Sequence, residues 1–98
     1  MIRSIVLLQF KSTTTDEQIA GVLAGAEAML AKQPGVRGYT VRRDLRLRDG
    51  NMSLAALIDF EDADAYHAYI EGEEHTRFSR EVVGPIREQS VRCQIQVP

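Results

Sequence analysis

Along this chain the spacing of apolar residues switches between two and about 3.6, and each switch marks an element. Ile2-Arg-Ser-Ile-Val-Leu-Leu-Gln-Phe10 is β-branched, too short for a typical helix, and followed by the polar Lys11-Ser-Thr-Thr14, so it reads as a strand. Thr14-Thr-Asp-Glu17 has the Thr-x-x-Glu form of a capping box, and Asp16 adds negative charge to the first turn. Behind it Ile19, Val22, Leu23, Ala26, Met29 and Leu30 recur at helical spacing until Pro34-Gly35 stops the helix. A second strand spans 36–48. Asp49-Gly50 is the preferred two-residue type I′ hairpin turn, and Met52 to Phe60 returns. That turn pairs Arg48 with Asn51, so Leu45 faces Leu54, Arg43 faces Ala56, Val41 faces Ile58 and Tyr39 faces Phe60. A second helix starts around Glu61-Asp62, carries Ala65, Tyr66, Tyr69 and Ile70 on one stripe, and breaks at Gly72. A further helical piece runs from Glu73 to about Val83, Gly84-Pro85 ends it, and a last strand runs from about Ser90 to Val97.

The strands differ in how their apolar residues are distributed. The first has Val6, Leu8 and Phe10 on one face and Ile5 and Leu7 on the other; the third sets Leu54, Ile58 and Phe60 against Ala55 and Leu57. The second and fourth alternate, with Thr40, Arg42, Asp44 and Arg46, or Arg92, Gln94 and Gln96, along one side. Strands apolar on both faces belong in the centre of a sheet, and strands with a wet face at its edges. The expected fold is therefore α+β: a ferredoxin-like βαββαβ domain whose four-stranded antiparallel sheet has the order 4-1-3-2. Its helices cover one face, and nothing left in the chain covers the other. Leu7, Leu57 and their neighbours are expected to meet a second copy, making a homodimer through the open sheet face.

Composition narrows the partners. The 98 residues suffice for one domain over 1–98. Net charge is −2, with 12 basic and 14 acidic residues intermingled, so no basic block points to nucleic acid. The apolar run Ile5 to Leu8 is too short for a signal peptide or a membrane span. The one cysteine, Cys93, makes no internal disulfide and fits a reducing compartment, so a cytoplasmic protein is expected. No spacing resembles a zinc, calcium or phosphate-loop site, and no metal or cofactor is expected.

The candidate chemistry lies between the helices and the inner sheet face, which by alternation carries Ser4, Val6, Leu8, Val41, Arg43, Leu54, Ile58 and Cys93. His75 and Tyr69 are separated by the break at Gly72, so both can point at this floor. Such a pair suits enolate chemistry: the imidazole removes a proton next to a carbonyl and the phenol donates to the developing oxyanion. Packed under its helix against a backbone carbonyl, the same His75 would be structural. Arg43 is expected either to bind an acidic or enolate oxygen or to snorkel out at the sheet end. Ser4, Leu54 and Phe78 complete the expected ligand contacts. His67 reads as solvent-facing, Cys93 as a small core residue, and Asp62, Asp64, Glu73 and Glu74 as helix-start carboxylates.

Several landmarks together resemble a known family. They are Met1-Ile-Arg-Ser-Ile-Val-Leu-Leu-Gln-Phe10, Gln33-Pro-Gly-Val36, Phe60-Glu-Asp-Ala-Asp-Ala-Tyr66 and Tyr69-Ile-Glu-Gly-Glu-Glu-His-Thr-Arg-Phe78. Over nearly its whole length the chain is similar to the stress-responsive dimeric α/β-barrel (Dabb) domain. The resemblance implies ferredoxin-like protomers paired sheet to sheet into a dimeric barrel. The family includes plant stress proteins and olivetolic acid cyclase, which folds a linear polyketide by aldol condensation. Carried over, the catalytic Tyr and His of that cyclase fall on Tyr69 and His75, but its other pocket histidines do not carry over: Ser4, Leu54 and Gly72 stand in their places, three departures from that cyclase's cavity lining. The resemblance thus implies a small cofactor-independent cyclase or aldol-type enzyme acting on a polyketide or aromatic small molecule. Its alternative is a non-catalytic stress-related protein that oligomerises or holds a small apolar or phenolic ligand. A cofactorless monooxygenase ranks behind both, since the chain has no Trp and its Asn51 belongs to a turn.

Overall fold

The two strands that are apolar on both faces take the middle of the sheet. The computed structural model describes residues Met1–Pro98. The chain runs β1 (Ile2–Phe10), α1 (Asp16–Ala31), β2 (Val36–Arg43), β3 (Leu54–Phe60), α2 (Ala63–Glu71), α3 (Glu73–Phe78), a π-helical turn (Ser79–Val83) and β4 (Arg87–Gln96). The sheet order is β2-β3-β1-β4 with every pair antiparallel, which is the expected 4-1-3-2 ferredoxin-like arrangement. Leu8 and Phe10 of β1, Val41 of β2, and Leu54, Ile58 and Phe60 of β3 meet Ile19, Val22, Ala26, Met29 and Leu30 of α1 in one buried cluster. Phe60 is fully buried, and Tyr66 and Tyr69 of α2 pack on it with ring centroids 5.5 and 5.4 Å away. Gly35 makes the exit from α1 possible. Its φ is +85°, and a Cβ there would lie 2.7 Å from that of Ala65.

The capping box sits one residue later than the Thr14–Glu17 pattern. Thr15 Oγ1 accepts from the Gln18 N–H at 3.1 Å, and Gln18 Oε1 accepts from the Thr15 N–H at 2.8 Å. This phase puts both Asp16 and Glu17 in the first turn, against the positive end of the helix dipole.

The two-residue hairpin at Asp49-Gly50 does not form. β2 stops at Arg43, β3 begins at Leu54, and residues 44–53 make a longer loop. Arg43 therefore opposes Leu54, Val41 opposes Ala56 and Tyr39 opposes Ile58. The slip is by two residues, so each side chain keeps its expected face. Local bonds replace the ladder: the Asp44 carboxylate accepts from the Arg46 N–H at 2.8 Å and from Asn51 Nδ2 at 3.2 Å. Arg46, at φ 57°, turns the chain and donates to the Asn51 carbonyl at 2.9 Å.

Buried Ser53 pins this loop to β1. Its N–H donates to the Leu8 carbonyl at 2.7 Å, and its Oγ accepts from the Phe10 N–H at 3.0 Å. Ser53→Ala leaves the Phe10 amide buried without a partner, which is expected to cost about 1–3 kcal/mol. Urea unfolding should show this as a lower midpoint at unchanged m-value; an unmoved midpoint would deny the amide its stated role.

β4 departs furthest from expectation. It begins at Arg87 rather than Ser90, and Cys93 pairs with Ile5 on the outer face instead of lining the inner one. The antiparallel register opposes Ser4 to Gln94 and Val6 to Arg92, so β4 turns its polar side toward the helices. Its apolar side, Val91, Cys93 and Ile95, joins Ile5, Leu7 and Leu57 on the outer face. Val91 and Ile95 are each 44% exposed there, and no helix of the chain covers them. An ion pair between Arg3 and Asp59, 2.8 Å long, borders this apolar surface.

Candidate functional site

The break at Gly72 decides where His75 goes. In one continuous helix, positions 69 and 75 would lie about 120° apart around the axis. Gly72 is extended instead (φ −69°, ψ 151°), and α3 starts afresh behind it, with the Thr76 N–H and hydroxyl both donating to the Gly72 carbonyl at 3.1 and 3.0 Å. The restart brings the His75 ring back over Tyr69, with centroids 4.8 Å apart.

Both rings face a cavity of about 330 Å³ enclosed by the inner sheet face, α1, α2, α3 and the π-helical turn. That is within the range of small-molecule sites, and its walls are mostly apolar. Val6, Leu8, Leu54 and Ile58 form the floor, and Met29, Tyr66, Ile70 and Phe78 stand around it. Phe78 fits because α1 is bare at Gly25, where a Cβ would lie 2.6 Å from the Phe78 ring. The π-helical turn, closed by the Gly84 N–H on the Ser79 carbonyl at 2.8 Å, points Ser79 and Val83 into the same space.

Burial separates the two polar rings electrostatically. It pushes the Tyr69 phenol up to about 12, with nearby Tyr66 adding to the effect, so Tyr69 stays a protonated donor. Burial also pulls the His75 imidazole below its ordinary 6.5, against a smaller opposing effect from the Ile70 backbone. At neutral pH the cavity therefore holds a neutral imidazole able to accept a proton beside a phenol able to donate a hydrogen bond.

Of the residues singled out from sequence, His75, Tyr69, Ser4, Leu54 and Phe78 come together around this cavity. Arg43 does not join them. It runs out past the sheet end to Asp16, 3.2 Å away, with its side chain half exposed, as a long cation at the end of an edge strand readily does. His67 faces solvent near Glu71, and Cys93 lies on the opposite side of the sheet. Ser4 is buried and its Oγ accepts from Gln94 Nε2 at 3.3 Å.

Sequence reasoning missed Arg87, Ser90, Arg92 and Gln94, all of which border the cavity. The alternation of Arg92 and Gln94 signalled a polar face, but only the pairing with β1 shows that this face turns inward. No cluster of three or more His, Cys, Asp or Glu forms a metal-binding group, and no helix is long and apolar enough to cross a membrane.

Solved structures of the same fold include a dimeric ferredoxin-like protein of unknown function from Thermobifida fusca YX. It is 26% identical, with 98% of this chain and 90% of that one covered at a TM-score of 0.90. The hydroxynitrile lyase of Passiflora edulis is 19% identical, with 99% and 93% covered at a TM-score of 0.85. SnoaB, a cofactor-independent oxygenase from Streptomyces nogalater, is 18% identical, with 98% and 91% covered at a TM-score of 0.78. No curated protein matches the sequence. The profile of the stress responsive A/B barrel domain (Dabb) matches residues 2–96, and the chain belongs to that family.

Proposed function

We propose that the cavity binds a small apolar or phenolic carbonyl compound and that His75 and Tyr69 catalyse proton transfer at the carbon beside the carbonyl. The observation that supports this most is the His75 ring packed against the Tyr69 ring, centroids 4.8 Å apart, on the wall of a largely apolar chamber. In the step, an imidazole nitrogen of His75 takes the α-proton and the C–H electron pair becomes the enolate. The Tyr69 hydroxyl donates a hydrogen bond to the enolate oxygen. In a substrate with a second carbonyl within reach, the enolate carbon attacks it, a C–C bond forms, and the new alkoxide takes the proton back from the imidazolium. This aldol-type cyclisation balances with two side chains and needs no redox carrier. Proteins of the same fold described as a hydroxynitrile lyase and a cofactor-independent oxygenase support a catalytic use of the scaffold.

The working unit in this proposal is a homodimer joined through Ile5, Leu7, Leu57, Val91 and Ile95. The Thermobifida protein is described as dimeric, and these apolar residues need cover. We place the protein in the cytoplasm, where the exposed Cys93 thiol stays reduced.

Deuterium incorporation into benzoylacetone in D₂O, followed by NMR above the buffer rate, tests the chemistry. The rate is expected to fall as pH drops through a value below 6.5, because protonated His75 cannot accept a proton. It is expected to fall again near pH 12 as Tyr69 ionises. Acceleration that grows as pH is lowered below 6.5, or none at any pH, would contradict the proposal.

A further inference from the structure

The arginines of this protein are not used alike. Arg3 pairs with Asp59, Arg37 with Glu61 and Arg43 with Asp16, and Arg42 donates to the Val41 carbonyl. Arg87 and Arg92, both on the edge strand β4, have no carboxylate within 4 Å in the protomer, yet both border the apolar cavity.

Their shared orientation is not what a regular strand would produce. Residues five apart on an unbroken strand point to opposite faces. Here Gln9 pairs with Gln89 but Phe10 pairs with Arg87, so Glu88 is an extra residue and β4 carries a bulge. The bulge reverses the alternation, so that Arg87 falls on the same inner face as Ser90, Arg92 and Gln94. A local irregularity thus aims a second guanidinium at a cavity that already has one. A net charge of −2 for the whole chain gives no general reason for a cationic rim at this place.

Arg87, His75 and Ser79 also line a second depression, with Thr76, Arg80 and Gly84. His75 and Arg87 thus stand between the apolar chamber and a polar depression that also carries Arg80.

The geometry points to an amphipathic ligand: an apolar or aromatic body seated in the chamber, and a carboxylate held at its mouth by Arg87 and Arg92. The guanidinium fork matches a carboxylate with two parallel hydrogen bonds, and Gln94 stands beside it as a neutral donor already oriented on Ser4. An anchored carboxylate would fix which carbon of the ligand lies next to His75. This inference shares only the cavity with the proton-transfer reading above and narrows the substrate class to carbonyl compounds that bear a carboxylate.

The test compares 1-naphthoate with its methyl ester, which have the same ring and differ in charge. The chain has no Trp, so naphthalene fluorescence reports binding directly. The unaltered protein is expected to bind the acid at least roughly tenfold more tightly than the ester, in keeping with a charge-assisted hydrogen bond. Arg92→Gln and Arg87→Gln should each weaken naphthoate about tenfold and leave the ester unchanged, with circular dichroism showing that the exposed substitutions keep the fold. Equal affinities for acid and ester would overturn the carboxylate inference and leave the cavity reading standing. Naphthoate affinity untouched by both substitutions would remove the arginines from the site. Binding of neither compound would overturn both readings together.

Discussion

His75→Ala is expected to lower the rate of the proposed α-proton exchange by roughly 10²- to 10⁴-fold, the usual range for a positioned general base. The fold should survive, because His75 is only half-buried and lies on a short helix outside the main apolar cluster. Tyr69→Phe removes one hydroxyl and keeps the ring that packs on Phe60. Loss of that donor should cost roughly 10²- to 10³-fold in rate at nearly unchanged ligand affinity, because the hydrogen bond strengthens as charge builds on the oxygen. A His75→Ala protein that exchanges deuterium as fast as the parent would leave this histidine with a packing role alone.

Leu57→Arg should have the other large effect, on assembly. Leu57 lies on the outer face, opposite Ile5 on one neighbouring strand and Thr40 on the other. In a two-fold dimer built on this face a charge enters twice, and desolvating each costs several kcal/mol. The dimer dissociation constant is expected to rise by roughly a thousandfold or more. Analytical ultracentrifugation at micromolar concentration should find a dimer for the parent and a monomer or aggregate for the variant. A parent that sediments as a stable monomer would contradict the proposed interface, and a chain this size gains from partner burial because alone it buries only about two thirds of its surface.

These effects trace to features that differ in how far they could be read beforehand. The sheet order was legible because β1 and β3 are apolar on both faces and β2 and β4 are not, and burial sorts strands by that property. The stripe Tyr66, Tyr69, Ile70 and the break at Gly72 were legible for the same reason: helical spacing and a glycine stop are local signals. The Asp49-Gly50 turn misled because Asp44, Arg46 and Asn51 close a longer loop with side-chain bonds that outcompete a tight hairpin. The inward turn of Arg92 and Gln94 was not readable at all. Alternation says that a strand has two unlike faces, and only its hydrogen-bonded neighbour says which one meets the core. The bulge at Glu88 likewise appears in no residue pattern, yet it decides where Arg87 points.

The most direct test of the cavity's chemistry is an NMR titration of the two histidine rings with and without benzoylacetone. His75 is expected to titrate below 6.5, and the ligand to shift its ring resonances while those of solvent-facing His67 stay put. A His75 that titrates at or above 6.5, or that ignores a ligand the protein demonstrably binds, would show that the imidazole does not face the site.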